Sequence, residues 1–338
     1  MTNNTIAAVI PVHNKEPYVA RAIDSVLSQT RAVDEIIVVD DASTDASVDR
    51  IKAFKDPRIR LLTRENALHH GPSAARNAGI RSARSDWVAL LDGDDAWHPN
   101  FIAEIHEIGP VGDEPIGLLF TAWRNVWEDG MFSDSSYAGH VRRFALEDYV
   151  SLWLDVGTSP ICSSAVVLHR EIALKSGLFN EEHSRGEDKD MWIRMLACAD
   201  AVGSPRVCST YFREIPGQMN STSTNVRHCL CETLQGMIER STDRRRTLLM
   251  RLFNHEVFEY ARFVAHRQHV RPDVYRGFYV SLDPARYLIL LTLSYMPLSV
   301  QRNIQRALLW SNRVTGIPRF RAEGKRRERS LREVRGLS

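Results

Sequence analysis

ALLDGDDAWHP, residues 89–99, is an apolar run that ends abruptly in three carboxylates, Asp92, Asp94 and Asp95. Carboxylates gathered at the tip of a buried strand repel one another and resist ionisation. A hard divalent cation bound through oxygens relieves both problems and can also hold a phosphate. The stretch therefore predicts a metal-diphosphate site. A polar turn is the competing reading, since Asp-Gly is a common turn pair and Asp95 can cap a helix starting near Pro99. Residues 89–99 alone leave the two open.

The segments before this stretch repeat one pattern. IAAVIPV (6–12) reads as a buried strand, broken by Pro11, His13 and Asn14 ahead of a helix over about 16–29 with Val19, Ile23, Val26 and Leu27 on its apolar stripe. EIIVVD (35–40) is a second buried strand, after which Ser43 or Thr44 can cap a helix running to Phe54. RIRLLT (58–63) is a third strand, followed by the Gly71-Pro72 break, the helix SAARNAGIRSAR (73–84) and a fourth strand over Trp87–Leu91. Strands alternating with helices at this spacing predict βαβ units and a mostly parallel sheet flanked by helices. Such sheets bind ligands at their carboxyl ends. Asn14, Asp40, Asp41 and Asp92–Asp95 all fall there, and independent turn residues have no reason to gather on one edge; this favours the metal reading. No GxGxxG follows the first strand and no GxxxxGK[ST] occurs, so the glycine-rich phosphate cradles are absent and a cation has to neutralise the phosphate instead.

Beyond residue 115 the pattern is less regular. Residues 116–123 and 164–169 read as strands, 146–154 as an amphipathic helix and 157–160 as a loop. In GEDKDMWIRM (186–195), Met191, Trp192, Met195 and Leu196 give a helix its apolar face and put Glu187 and Asp188 in or before its first turn. Acidic residues are favoured at helix starts anyway, so composition alone reads this pair as a cap.

The 338 residues suffice for one large domain and a second module. Five cysteines, odd in number and without CxxC spacing, predict neither a disulfide framework nor a zinc site and fit a reducing cytoplasm. The polar, uncharged Met1–Thr5 and the short apolar run after it read as a strand, not an export signal. The net charge of +2 hides an asymmetry: residues 1–225 carry 22 Lys+Arg against 32 Asp+Glu, and residues 226–338 carry 22 against 10. From about Arg227 the sequence turns to long helices rich in Leu, Phe and Arg, so the expected division is a catalytic domain over 1–225 and a basic helical region over 226–338. That region suits acceptor, membrane-surface or homo-oligomer contacts, or it is simply a solvated helical surface. Its run YLILLTLSYMPL (287–298) has 12 residues, too few for a bilayer that needs about 20. It reads as a core helix or an interfacial one, and with Arg286, Arg302, Arg306 and the tail KRRERSLREVR around it the interfacial reading gives peripheral attachment to an anionic inner membrane face. Glu323, Glu328 and Glu333 in the tail, and the lack of any helix-turn-helix, RNP or zinc-finger pattern, argue against nucleic acid.

VIPVHN (9–14), SVLSQT (25–30), VVDDASTD (38–45), GPSAARNAGI (71–80), LLDGDDAW (90–97) and GEDKDMWIRM (186–195) together resemble the family 2 glycosyltransferases of GT-A fold. The likeness covers roughly residues 5–220. It implies a Rossmann-like α/β domain and an inverting, metal-dependent enzyme (Mn²⁺ or Mg²⁺) that uses a nucleotide-sugar, UDP favoured, for polysaccharide or glycolipid synthesis. The acceptor would be a carbohydrate or a lipid-linked glycan. By the same resemblance Pro11, Val12, Asn14 and nearby Glu16 face the nucleobase, Asp41 contacts a uracil ring, and Arg76 and Asn77 turn toward the nucleotide. Asp92 faces the ribose with Gly93 beside it, Asp94 binds the metal with Asp95 in support, and Asp188, paired with Glu187, supplies the catalytic base. One position departs from the family pattern: in YFREIPGQMNS (211–221) Ile215 stands where a His is common, and His183 is no evident replacement.

Two other functions compete. A sugar nucleotidyltransferase also pairs a parallel sheet with metal-binding carboxylates, but PVHNKEP lacks the glycine-rich, basic loop it would need after the first strand. A non-catalytic nucleotide-sugar-binding module of a polysaccharide assembly would not need Glu187 and Asp188.

Overall fold

The computed structural model describes residues 5–65, 70–109, 115–135, 139–183, 185–213, 229–265, 270–297 and 300. They divide into two units: the chain to Leu146 with the described residues from Pro160 to Arg213, and Glu147–Ser159 with those from Cys229 onward. The expected boundary near residue 225 lies outside the described residues.

In the first unit, β1 (Ile6–Val12), α1 (Val19–Leu27), β2 (Glu35–Asp40), α2 (Ser47–Lys52), β3 (Ile59–Thr63), α3 (Pro72–Ser82) and β4 (Trp87–Leu90) alternate as the sequence predicts. The two-residue β5 (Ala96–Trp97), α4 (Phe101–Ile108), β6 (Ile116–Val126), β7 (Phe132–Ser135) and β8 (Arg142–Phe144) follow. After α5 (Leu146–Val156), the unit resumes with β9 (Val166–His169), α6 (Arg170–Lys175), α7 (Glu187–Leu196) and β10 (Asp200–Phe212).

The strands form one sheet of order β3-β2-β1-β4-β9-β6-β10-β5, with β7 added to β6 and β8 to β10. It is a mixed sheet flanked by helices. β3, β2, β1 and β4 run parallel, as do β6 and β10, while β9 is antiparallel to both its neighbours. The parallel part is the part built from βαβ repeats. From β1 the chain moves outward through β2 and β3, then returns to place β4 on the other flank of β1. That reversal opens a crevice beyond the carboxyl ends of β1 and β4, where ligands of open α/β sheets bind.

The alternation along β1 explains how both faces are covered. Ile6, Ala8, Ile10 and Val12 join Val19, Ile23 and Val26 of α1 and Phe101 and Ile105 of α4 in one core. On the other face α3 packs against β1 and β2. α3 buries mainly small or polar residues, Ser73, Ala74, Ala75, Arg76, Asn77, Gly79 and Ile80, and this lets its backbone lie close to the strand. At Gly79 a Cβ would come within 2.3 Å of the buried Val9 Cγ1.

Two local expectations change. Ser43 and Thr44 do not cap α2, which starts at Ser47: the Ser43 hydroxyl accepts from the Asn14 amide (2.9 Å) and the Thr44 amide donates to Asn14 Oδ1 (2.8 Å). Asp95 does not cap α4, which begins at Phe101 behind Asn100. β10 carries no clean strand signal because Gly203 and Pro205 interrupt it, and its register against β6 shifts at Ser204/Val207.

The second unit is helical, comprising α5, α8 (Cys229–Glu239), α9 (Asp243–Ala265) and α10 (Pro284–Tyr295). The Asn254 side chain in α9 grips the Tyr279 main chain in both directions (2.8 and 2.9 Å). Leu288, Ile289 and Tyr295 of α10 are exposed. Among the described residues no helix is long and apolar enough to cross a membrane.

Because α3 carries Arg76 and Asn77, its seat on β1 should set both stability and the site. Gly79→Ala forces a stiff β-branched neighbour to move and should cost about 1–3 kcal/mol. Urea denaturation of the variant measures this, and an unchanged midpoint would mean that α3 has room to lift.

Candidate active site

The loop after β1 is fixed by side chains rather than by regular structure. Asn14 adopts a left-handed backbone (φ 51°), stabilised by its bonds to Ser43 and Thr44. The Val12 carbonyl accepts from the Asp41 amide (2.8 Å), which brings the loops after β1 and β2 together. Glu16 lies in the turn before α1, its amide on Asp45 (3.0 Å) and its carboxylate paired loosely with exposed Arg50 (3.3 Å). Asp41 is buried and well supplied with partners. Its Oδ1 accepts from Arg64 (2.6 Å) and faces His70 Nδ1 (3.0 Å), and its Oδ2 accepts from the Gly71 amide (2.5 Å).

The Asp-Gly-Asp-Asp turn sits beside this loop. Gly93 is needed there for close approach, since a Cβ would lie 3.0 Å from the Pro11 carbonyl and 3.4 Å from Val12 Cγ2. The three carboxylates have different partners. Asp92 accepts from Arg76 (2.6 Å) and keeps partial solvent access. Asp94 is ion-paired with Lys15 (Nζ to Oδ2, 2.6 Å), and its carbonyl accepts from Arg21, whose guanidinium stacks 3.7 Å above the Phe212 ring. Asp95 is fully buried: Oδ2 accepts from the Ser164 hydroxyl (2.5 Å) and Oδ1 from the Phe212 amide (3.1 Å). Burial, with Asp92 and Asp94 nearby, raises its pKa well above the usual carboxylate range. Asp95, expected to support a metal, ties the turn to Ser164 and to the end of β10 through one hydrogen bond at each oxygen.

Arg76 joins the turn to the start of α7. Its buried guanidinium touches Asp92, stands 3.7 Å from Glu187 Oε1 and lies 5.5 Å from the centre of the Phe179 ring. Burial disfavours its charge, yet Asp92, Glu187 and Asp188 more than offset this and raise its pKa. Gly186, at φ 74°, begins α7 as only a residue tolerant of left-handed backbone can. Glu187 is pushed up to about 7 by burial and by Asp188, against the pull of Arg76. Asp188 accepts from the Lys189 amide (2.7 Å). Asn77, expected to turn toward the nucleotide, instead bonds to Phe179 and Glu181. Ile215 lies outside the described residues.

For a divalent ion the donor chemistry fits in part. Among the described residues no group of three His, Cys, Asp or Glu side chains is placed to hold one. Asp94 and the partly exposed Asp92 offer oxygen ligands, a hard donor set of the kind Mg²⁺ uses when substrate phosphates and water complete its shell. Lys15 holds one of those oxygens.

The sequence profile of glycosyl transferase family 2 matches residues 7–107, the stretch that builds the β1 loop, α3 and the acidic turn. Over these residues the chain is similar to glycosyl transferase family 2. The chain is 38% identical over 100 residues to the Escherichia coli UDP-Glc:alpha-D-GlcNAc-diphosphoundecaprenol beta-1,3-glucosyltransferase WfgD, covering 30% of this chain and 39% of that protein. In three other bacterial relatives the matched part is 31%, 29% and 32% of their length, so the chain spans well under two thirds of these curated relatives. The fold is similar to that of Staphylococcus aureus TarS 1–349 in complex with UDP-GlcNAc, with TM-score 0.67, 14% identity and 92% of each chain covered. It is also similar to the mannosyltransferase PcManGT of Pyrobaculum calidifontis in complex with GDP-Man and Mn²⁺, with TM-score 0.53, 16% identity and coverage of 92% and 86%. The chain thus has a GT-A-type fold.

Several residues at this site carry no signal in sequence. Lys15 could have been suspected, standing one residue after Asn14 in a loop expected to face the nucleobase. Arg21, Ser164 and Phe179 could not, because long-range packing alone brings them here.

The raised Glu187 has a consequence for stability. Its folded pKa exceeds the unfolded one, so its contribution is fully present below about 4.5 and is lost as pH rises through about 7. Without nucleotide, unfolding free energy should fall by about 2–3 kcal/mol across that window, and Glu187→Gln should flatten the fall. Urea titrations at pH 4.5 and 8 test this; equal slopes in both proteins would place the effect elsewhere.

Proposed function

We propose that the chain is an inverting glycosyltransferase that moves a sugar from a nucleoside-diphosphate sugar, UDP favoured, to an acceptor hydroxyl in cell-surface polysaccharide or glycolipid synthesis. The observation that carries this reading is Arg76, whose one guanidinium lies between Asp92 of the acidic turn and Glu187 at the start of α7. A donor-binding turn and an acidic pair at one crevice are what a single displacement at an anomeric carbon requires.

The nucleotide would lie across the carboxyl ends of β1 and β2, against Pro11, Val12, Asn14 and Glu16. Asp41 Oδ2 accepts from Gly71 and can accept once more, which suits the imino N–H of uracil or thymine. Asp92 would take the ribose, with Gly93 allowing the close approach. Asp94 would hold Mn²⁺ or Mg²⁺ together with the diphosphate, the ion offsetting the charge of the leaving group when bound. Lys15 has to leave Asp94 for this, and its ammonium is then free to face the phosphates. Asp188 would take the proton of the acceptor hydroxyl as that oxygen attacks the anomeric carbon from behind, a role typically contributing about 10²- to 10⁴-fold. Arg76 keeps Glu187 and Asp92 close without their charges disrupting the crevice.

The domain division is proposed on the same basis: a catalytic unit to about residue 225, and a basic helical region from 226 for the acceptor, a lipid-linked glycan, another copy of the chain or the anionic inner face of a membrane in the cytoplasm. The exposed Leu288 and Ile289 support a surface role for that region. A sugar nucleotidyltransferase or a non-catalytic nucleotide-sugar-binding module would share the acidic turn but have no use for Asp188.

Calorimetry with UDP, dTDP, GDP and CDP, each with and without Mn²⁺, should give tightest binding for UDP or dTDP. Asp94→Ala should abolish the Mn²⁺-dependent part, and undiminished Mn²⁺ dependence in that variant would put the ion elsewhere. Asp188→Asn should lower donor turnover by about 10²-fold or more while nucleotide affinity holds. If that variant turns over like the parent, Asp188 is a helix cap.

A further inference from the structure

Asn77 is 1% exposed and follows Arg76 in α3. Its Oδ1 accepts from the Phe179 amide (2.9 Å), and its Nδ2 donates to the Phe179 carbonyl (2.8 Å) and to Glu181 Oε1 (2.7 Å). Both amide hydrogens and the carbonyl therefore have partners, and little capacity remains for a ligand. A buried, satisfied amide of this kind fixes the geometry of what it holds.

What it holds is an awkward loop. Gly177 and Leu178 both adopt left-handed backbone (φ 88° and 62°), and for Leu178 this conformation is costly and must be imposed from outside. The next residue, Phe179, is the one Asn77 grips at both main-chain groups. Its ring stands edge-on to Trp192 of α7, centroids 5.7 Å apart, and faces the Arg76 guanidinium. α7 is fastened to the same loop by Arg194, which donates to the carbonyls of Ser176 and Leu178 while paired with Asp190 (2.7 Å). One face of α3 thus contacts the acidic turn through Arg76, and its neighbour Asn77 contacts the loop on which α7 rests.

We propose that Asn77 is a positioning residue: through Phe179 it sets the first turn of α7, with Glu187 and Asp188, at a fixed separation from Asp92 and the donor turn. The role rests on the reaction proposed above. Catalysis depends steeply on this separation, because a misplacement of about 1 Å can cost 10²-fold in rate. Asn77 then belongs to the transfer step and not to nucleotide recognition.

The test uses the full chain. Asn77→Asp keeps the size but turns a donor into a carboxylate facing Glu181 and the Phe179 carbonyl; Glu181→Gln on that background returns a donor to one side. Donor hydrolysis should show kcat lowered about 10- to 100-fold with donor KM and UDP affinity within about twofold, and partial recovery of kcat in the double variant. Hydrogen exchange should rise across 178–192 and not in β1 or β4. Loss of UDP affinity equal to the loss of kcat/KM would overturn the inference and give Asn77 a nucleotide contact. Unchanged kcat would also overturn it. Phe179→Leu, which leaves the main-chain bonds in place, must lower kcat in the same way, and an unchanged kcat there overturns the inference even where Asn77→Asp does not fold. A parent chain that turns over no nucleotide-sugar defeats the glycosyltransferase reading; unchanged exchange across 178–192 defeats the clamp itself.

Discussion

The site depends on one buried cation among carboxylates. Asp92, Glu187 and Asp188 come from segments nearly a hundred residues apart, and their mutual repulsion would separate those segments if nothing lay between them. The Arg76 guanidinium, pinned in α3 and stacked near Phe179, offsets that repulsion. A lysine would serve poorly there, because the planar fork can address Asp92 and Glu187 at once and can face an aromatic ring. Its burial is costly by itself, so its position depends on all three acids being present. The pairing is reciprocal: removing either side leaves an uncompensated buried charge.

The sheet explains why those segments meet. Reversal of strand order at β1 and β4 opens a crevice at their carboxyl ends, and the loops after β1, β2 and β4 leave the sheet there. β9 then enters antiparallel between β4 and β6, delivering Ser164 just ahead of it to the back of the acidic turn. The same hydroxyl accepts from the Asp92 amide and donates to Asp95, so one serine orients the turn from behind. Asp95 is held in that turn by the Ser164 hydroxyl and the Phe212 amide.

Much of this was legible in the sequence, and the boundary has a physical cause. The β1–β4 repeats are local: a continuous apolar run, a break and a 3.6-residue stripe each follow from a handful of neighbours. The resemblance points to Asp92, Asp94, Asp41 and Asp188 because their motifs are contiguous. β10 was not legible, since Gly203 and Pro205 obscure its alternation and only its pairing with β6 makes it a strand. Nor were the partners of Asp95 and Asn77, whose types suit a ligand site and whose hydrogen bonds, to Phe212 and Phe179, reach across more than a hundred residues. Sequence type states what a side chain can bond to, and tertiary structure decides which bond is made.

Magnitudes separate Glu187 from an ordinary helix cap. At a helix N-terminus the macrodipole stabilises a carboxylate by about 0.3–1 kcal/mol, up to about 2 in favourable buried geometry, and lowers its pKa. Here the pKa instead rises from 4.5 to about 7, roughly 3 kcal/mol in the opposite sense. Burial and the adjacent Asp188 therefore outweigh both the dipole and Arg76. A residue kept merely as a cap would sit where the dipole prevails, in contact with water and without a like charge beside it. Glu187 sits instead where ionisation is disfavoured near neutral pH, a setting that structure imposes and that capping does not explain.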